Sequence, residues 1–318
     1  MTEPMIAIAM ATYNGARFVA EQIESIINND YSNWILYIRD DCSSDQTVEI
    51  INRYMDVDDR IQLVASDNTR LGHSASFNAI LTLILENGHE YFVLCDQDDH
   101  WLPDRLTRVL NVSNTTMPEL SYTDLQITDA NLQSVGRHFF DDYDEKCHGE
   151  DKLHYLLMEN SIPGCTMSGN RQLLKHILPI PKRINNHDWW IALNAAIFGE
   201  IKFIDKPLIK YRQHEYNQIG ASSFWAKLSK SNVRQILRKQ ITETVNMIDE
   251  IRTLSSENAL ADGTTPSHIF TRFISIYNAE KSAVRRARLL YREGYRTHHL
   301  YKWMIHLIAL HQTSKARS

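Results

Sequence analysis

The sequence predicts an α/β fold, a mostly parallel sheet with helices on both faces, followed by a helical C-terminal region. Three observations predict it. Strand-like and helix-like segments alternate throughout the first hundred residues, the pattern of a parallel sheet covered by its crossover helices. The polar clusters Thr12-Tyr13, Asp40-Asp41 and Asp96 to Asp99 each follow an apolar run. They therefore fall at strand carboxyl ends, where such sheets bind ligands. Further on, Leu228, Ile236, Leu237, Ile241, Val245, Ile248 and Ile251 recur at roughly helical spacing.

The elements follow in order. Met5 to Ala11 is an apolar strand, and Thr12-Tyr13-Asn14-Gly15 is a turn. Phe18, Val19, Ile23, Ile26 and Ile27 then mark a helix. Trp34 to Ile38 is the second strand, and Ser43 with Gln46 can form a capping box for the helix after it. Ile61 to Ala65 is the third strand, and Leu71-Gly72 opens a helix running through Glu86. Tyr91 to Leu94 is the fourth, and Pro103 suits the first position of the next helix. Ser255 to Pro266, rich in small and polar residues, reads as a loop between helices.

The fourth strand ends in Asp96, Asp98 and Asp99. Carboxylates this close cannot all be buried ionised without a cation. Oxygen ligands on a short turn suit a hard divalent ion, Mn2+ or Mg2+. A plain acidic turn ahead of a helix is the competing reading, and the strand context weighs against it.

Several pieces together are specific: Ala-Thr-Tyr-Asn-Gly at 11–15, Asp-Asp-Cys-Ser-Ser-Asp at 40–45, and the Asn68 to Asn78 stretch with Arg70 and Gly72. Asp-Gln-Asp-Asp-His-Trp-Leu-Pro-Asp-Arg-Leu at 96–106, Pro-Gly-Cys-Thr-Met at 163–167, His-Asp-Trp-Trp at 187–190 and Tyr-Arg-Gln-His at 211–214 with Asn217 complete the set. In this order and spacing they resemble family 2 glycosyltransferases of the GT-A fold, over roughly residues 5–220. The acidic motif with His-Asp-Trp-Trp and Tyr-Arg-Gln-His resembles the bacterial rhamnosyltransferase-like branch in particular.

The resemblance implies an inverting, metal-dependent enzyme that moves a sugar from a nucleotide-sugar donor to a hydroxyl of a glycan or lipid-linked saccharide in bacterial surface polysaccharide assembly. Rhamnose from dTDP-rhamnose is the favoured donor and a UDP-hexose the alternative. Asp98 is the expected direct metal ligand. Asp96 is placed on the ion's hydration shell or on the ribose, and Asp99 lines the site. His214 is expected to be a third ligand or to touch the diphosphate. Asp188 is the candidate general base, and capping a helix is compatible with that role. Thr12 and Tyr13 are expected to flank the base, Asp41 to accept the pyrimidine N3–H with Asp40 nearby, and Arg70 to pair with phosphate. Gly164, Cys165 and Thr166 are expected beside the acceptor. His187, Trp189 and Trp190 are expected there too, the tryptophans either stacking on a sugar or lying in the core.

Length and composition fit one catalytic domain plus an appendage. The expected division is 1–220, with a nucleotide-sugar half at 1–110 and an acceptor half at 111–220, and a helical extension at 221–318. The four cysteines show no metal spacing and read as reduced thiols of a cytoplasmic protein. No secretory leader or membrane span is expected. Of the net charge of −5, residues 281–318 hold nine Lys or Arg and one acid, a local +8. That tail, with Tyr301-Lys302-Trp303-Met304-Ile305, suits either peripheral contact with an anionic membrane or a helix packed on protein. The acidic remainder argues against nucleic acid. Gly164 to Gly169 lacks the Lys-Ser/Thr of a P-loop, and no Gly-x-Gly-x-x-Gly is present, which excludes those two nucleotide-binding classes. A catalytically inactive nucleotide- or glycan-binding module is the alternative of another class.

Overall fold

The computed structural model describes residues 3–66, 69–113, 116–141, 143, 148–149, 151–214, 243, 246–253, 268–280 and 282–297. Two compact units divide the chain. The first comprises 1–142, 162–195 and 199–217, and the second 143–161, 196–198 and 218–318.

The first unit is built on nine strands: β1 (Ile6–Thr12), β2 (Trp34–Asp40), β3 (Ile61–Leu63), β4 (Tyr91–Cys95), β5 (His100–Trp101), β6 (Glu119–Thr128), β7 (Ser134–His138), β8 (Met167–Asn170) and β9 (Glu200–Arg212). They form one sheet in the order β3-β2-β1-β4-β8-β6-β9-β5, with β7 paired to β6. β1 to β4 pair in parallel. β1 lies between β2 and β4, so all seven of its residues are buried, which explains its unbroken apolar run. From β8 onward the sheet is mixed, since β8 runs antiparallel to both β4 and β6 while β9 runs parallel to β6. The first four strands are thus all parallel, and the second half combines antiparallel pairs with the long parallel pair β6–β9.

Helices α1 (Val19–Ile27), α2 (Thr47–Met55), α3 (His73–Glu86) and α4 (Arg105–Asn111) follow β1, β2, β3 and β5. α6 (Arg171–Ile177) and α7 (His187–Phe198) come later. The apolar face of α1 (Val19, Ile23, Ile26) packs with Ile6, Ile8 and Met10 of β1 in one core cluster. Gly169 lies where a Cβ would come within 2.6 Å of the Phe92 ring, so β4, β8 and β6 close up only around glycine.

Three local expectations are corrected. The helix after β2 has no Ser43–Gln46 capping box; Asp45 Oδ1 instead accepts from the Thr47 N–H at 3.0 Å, and Ser43 turns to Asp40. β3 stops at Leu63. α4 begins at Arg105, two residues past Pro103.

In the second unit, α5 (Lys152–Leu156), α8 (His268–Ala279) and α9 (Ala283–Arg292) are helical, as are residues 246–253. Tyr295 gathers them: its ring meets Phe273 at 5.1 Å and His154 at 4.9 Å, and its hydroxyl donates to the Ile269 carbonyl. Ile248 and Ile251 are buried as expected. Leu228, Ile236, Leu237, Ile241 and Val245, the 255–266 loop, Asn68, Asn217 and the 301–305 segment lie outside the described residues.

Candidate active site

The parallel register brings the first two clusters together. Thr12 pairs with Asp40 at the ends of β1 and β2, and Thr12 Oγ1 donates to Asp40 Oδ1 at 2.9 Å. Asp40 also accepts from the Ser43 N–H at 2.7 Å. This holds Cys42 in the left-handed region at φ 65°, an uncommon state for a side-chain-bearing residue. Asn14, at φ 47°, stitches the two loops: its N–H donates to Ser43 Oγ and its Oδ1 accepts from the Ser44 N–H, both at 2.8 Å.

Asp41 is bound mainly by protein. Its Oδ1 accepts from Arg39 Nη1 at 2.8 Å and from the Leu71 N–H at 2.7 Å, and its Oδ2 accepts from the Gly72 N–H at 2.9 Å. Burial alone would raise its pKa, but these bonds hold the carboxyl below its usual range. The carboxylate thereby fixes the turn that opens α3, where Gly72 adopts φ 84°.

Tyr13 stands exposed beside this turn. The Arg70 guanidinium lies 3.9 Å from its ring centroid, and Arg70 Nε is 3.8 Å from Asp41 Oδ2. Gln97 clamps the Tyr13 backbone, accepting from its N–H at 2.9 Å and donating to its carbonyl at 3.1 Å.

The acidic turn is anchored from β9. Arg212, buried at 2% exposure, donates through Nε to the Asp98 carbonyl at 2.9 Å, through Nη1 to the Ala130 carbonyl at 2.7 Å and through Nη2 to Glu21 at 2.7 Å. Two residues on, His214 Nε2 lies 2.9 Å from Asp98 Oδ2, its ring resting 4.7 Å from that of Phe18. Asp96 is pushed up to about 7 by burial, then by Asp98 and Asp188. Asp99 is also pushed up, by burial and then by Asp98 and Asp96.

These features fit a hard divalent cation. Donors on an octahedral ion with bonds near 2.1 Å stand about 3 Å apart, close to the Asp98–His214 separation. A cation there would relieve the crowding of carboxylates. One further trio, Asp96, Asp99 and Cys165, has ligand atoms within 4.8 Å of one another. Its thiol is a soft donor that burial keeps protonated, so it suits Mn2+ or Mg2+ less well than Asp98 and His214 do.

Asp188 sits in the first turn of α7 and its Oδ1 accepts from the Trp189 N–H at 2.8 Å. Gly164 faces it: a Cβ there would lie 3.3 Å from Asp188 Cβ and 3.5 Å from His187 Nε2. Cys165 and Thr166, in the same short 3-10 turn, are buried, and Thr166 Oγ1 donates to the Pro163 carbonyl at 2.7 Å.

Of the two readings left open for the tryptophans, burial favours the core. Trp190 is fully buried and its Nε1 donates to the Ile177 carbonyl at 3.0 Å, while Trp189 is 4% exposed. α7 is apolar on nearly every face, so both indoles are drawn into the core. His187 is buried too, stacked on Phe77 at 4.3 Å, and burial pushes its pKa well down.

Four contributors escaped the sequence reading. Gln97 and Arg212 lay inside recognised motifs with no assigned role. Arg105, fully buried, donates to the Cys165 carbonyl at 2.7 Å and so ties the 3-10 turn to the acidic loop. His73, the first residue of α3, lies within electrostatic reach of Asp188, Asp98 and Asp41. It lay inside the Asn68 to Asn78 stretch with no assigned role.

A sheet whose strand ends carry polar loops and an acidic turn, with the Asp188 carboxylate in the first turn of α7, has the form of a GT-A glycosyltransferase. The chain belongs to glycosyl transferase family 2, whose match covers residues 7–178, more than half of it. Among curated proteins it is similar to the dTDP-rhamnosyl transferase RfbG of Shigella flexneri, 27% identical over 251 residues, spanning 75% of this chain and 84% of that protein. It also resembles the putative teichuronic acid biosynthesis glycosyltransferase TuaG of Bacillus subtilis, 24% identical over 164 residues, 51% of this chain and 60% of that one. Among the solved structures that share the fold are two with a TM-score of 0.57. One is S. aureus TarS in complex with UDP-GlcNAc, at 14% identity over 98% of this chain and 91% of that chain. The other is the mannosyltransferase PcManGT from Pyrobaculum calidifontis in complex with GDP-Man and Mn2+, at 16% identity over 100% and 88%.

Proposed function

We propose that this glycosyltransferase performs an inverting transfer of rhamnose from dTDP-rhamnose to a hydroxyl of a glycan or lipid-linked saccharide, in bacterial surface polysaccharide assembly. The observation that carries the chemistry is the pairing of a cation-suited cluster, Asp98 with His214, and a separate carboxylate, Asp188, on one unit. The similarity to RfbG supports the donor.

Asp188 takes the proton of the acceptor hydroxyl, whose oxygen forms a bond to the anomeric carbon as the bond to the diphosphate oxygen breaks. The electron pair of that bond leaves with the nucleoside diphosphate. Asp98 and His214, with Asp96 beside them, would hold Mn2+ or Mg2+, which would supply positive charge for the leaving diphosphate. Tyr13 offers its exposed ring to the base, and Arg70, stacked on that ring, reaches for phosphate. Asp40 and Thr12 shape the nucleotide loop, and Asp41 keeps one oxygen with a single bond beside it. Asp99 lies beneath the acidic turn, and Gly164 to Thr166 border the acceptor. Residues 1–110 serve as the donor half, 111–220 as the acceptor half and 221–318 as a helical extension, whose basic stretch brings the enzyme to the cytoplasmic membrane face.

A panel of dTDP-rhamnose, UDP-glucose, UDP-GlcNAc and GDP-mannose, offered with a lipid-linked saccharide, tests the reading. Preferred transfer from dTDP-rhamnose is expected. Preference for a UDP-sugar would favour the hexosyl alternative, and binding without transfer or donor hydrolysis would favour an inactive module.

A further inference from the structure

We infer that His73 contacts the transferred sugar and helps set which donor is accepted. The inference rests on the transferase reading above. In a displacement at the anomeric carbon, the sugar must lie between the cation that receives the diphosphate and the base that deprotonates the acceptor. A side chain that faces both groups flanks the sugar. His73 directly follows Gly72 of the donor turn, which Asp41 binds, and its ring stands 5.0 Å from that of His187, the chain neighbour of Asp188.

Its position is over-determined. Asp41 binds the N–H groups of Leu71 and Gly72 directly ahead of it. Ser74 directly after it donates to the Ile184 carbonyl at 3.1 Å. The imidazole stands edge-on to Phe77 and to His187, at 5.0 Å from each. Since His187 borders Gly164 and Asp188, this stack forms a wall from the donor turn to the base. Phe77 and His187 are buried in it, whereas His73 is exposed. Among the described residues no hydrogen bond to its ring nitrogens is found. Packing against Phe77 and His187 desolvates the ring and lowers its pKa, and a neutral imidazole offers one donor and one acceptor, a pair that matches a sugar hydroxyl. A site built to bond a hydroxyl rejects analogues that lack it far more strongly than a purely apolar wall does.

The test compares His73→Phe, His73→Ala and His73→Asn with wild type. Three readouts are used: kcat and KM for transfer, hydrolysis of the best donor of the panel, and Mn2+-dependent binding of the matching nucleoside diphosphate. His73→Phe preserves an aromatic stack but not the hydrogen bonds. The expected result is a fall in kcat/KM for the donor on the order of tenfold to a hundredfold in the Phe and Ala variants. Asn should recover part of it, and diphosphate binding should stay within about twofold, which also reports that the variants fold. Wild-type-like transfer by His73→Phe would reduce His73 to packing and overturn the inference. So would a loss of diphosphate binding as large as the loss of transfer. A wild-type protein that neither transfers nor hydrolyses any donor overturns the transferase reading itself, and this inference with it.

Discussion

Asp98 Oδ2 and His214 Nε2 lie 2.9 Å apart although 116 positions separate them in the chain. Arg212 builds this meeting by gripping the Asp98 carbonyl from the end of β9. The pair is the expected cation seat. Asp98→Ala should abolish Mn2+-dependent nucleoside-diphosphate binding, and His214→Ala should weaken it, with the fold intact by circular dichroism. Transfer should stop in excess EDTA and return with Mn2+ or Mg2+. Full activity in EDTA would sink the metal role.

Asp41 and Arg39 form an ion pair with both side chains buried. Removing one member of such a pair strands the other, at about 3–5 kcal/mol. Asp41→Ala should cost that much at pH 7. A carboxyl whose folded pKa lies below its unfolded value near 3.8 contributes stability that is complete above that value. The contribution is lost as pH falls through the folded pKa. Urea unfolding should therefore show a smaller gap between wild type and variant at pH 3 than at pH 7. An equal gap at both would remove the charge from the explanation.

Gly199 follows α7 directly, and a Cβ there would come 2.0 Å from the Pro118 carbonyl oxygen. That oxygen accepts from the Glu200 N–H at 2.9 Å, so backbone must shift to make room. Gly199→Ala should destabilise the protein by about 1–3 kcal/mol. An unchanged urea midpoint would contradict this packing.

Arg285, Arg288 and Arg292 are exposed on or at the end of α9, whereas Arg286 is buried against the Glu280 carbonyl. No helix among the described residues is long and apolar enough to cross a membrane. Each exposed arginine should contribute about 1 kcal/mol at an anionic surface, weakening with salt. Replacing the three by Gln should lower co-sedimentation with phosphatidylserine-containing liposomes about a hundredfold at low salt. Equal sedimentation of both proteins would favour protein packing over membrane contact.

The first half of the site was legible because its signals are local. An apolar run ending in Thr12 or Asp96 marks a strand end, and the parallel register then sets those ends side by side. Trp189 and Trp190 were ambiguous for the opposite reason. A sugar platform and a core indole have the same local sequence, and only the burial of α7 separates them. The backbone partners of the Asp41 carboxylate, Leu71 and Gly72, come from another loop, and nothing beside Asp41 in the sequence announces them. His73, Gln97 and Arg105 act through partners distant in sequence, and nothing in their neighbourhoods encodes those partners.

The account turns on Asp188, the carboxylate that Gly164 leaves room for. The direct measurement is the single-turnover rate of sugar transfer by Asp188→Asn at saturating donor and Mn2+, beside wild type. The amide keeps the shape and can still accept the Trp189 N–H, but it cannot take a proton. The account predicts a rate lower by roughly 100- to 10,000-fold with nucleotide binding nearly intact. A rate like that of wild type would contradict it.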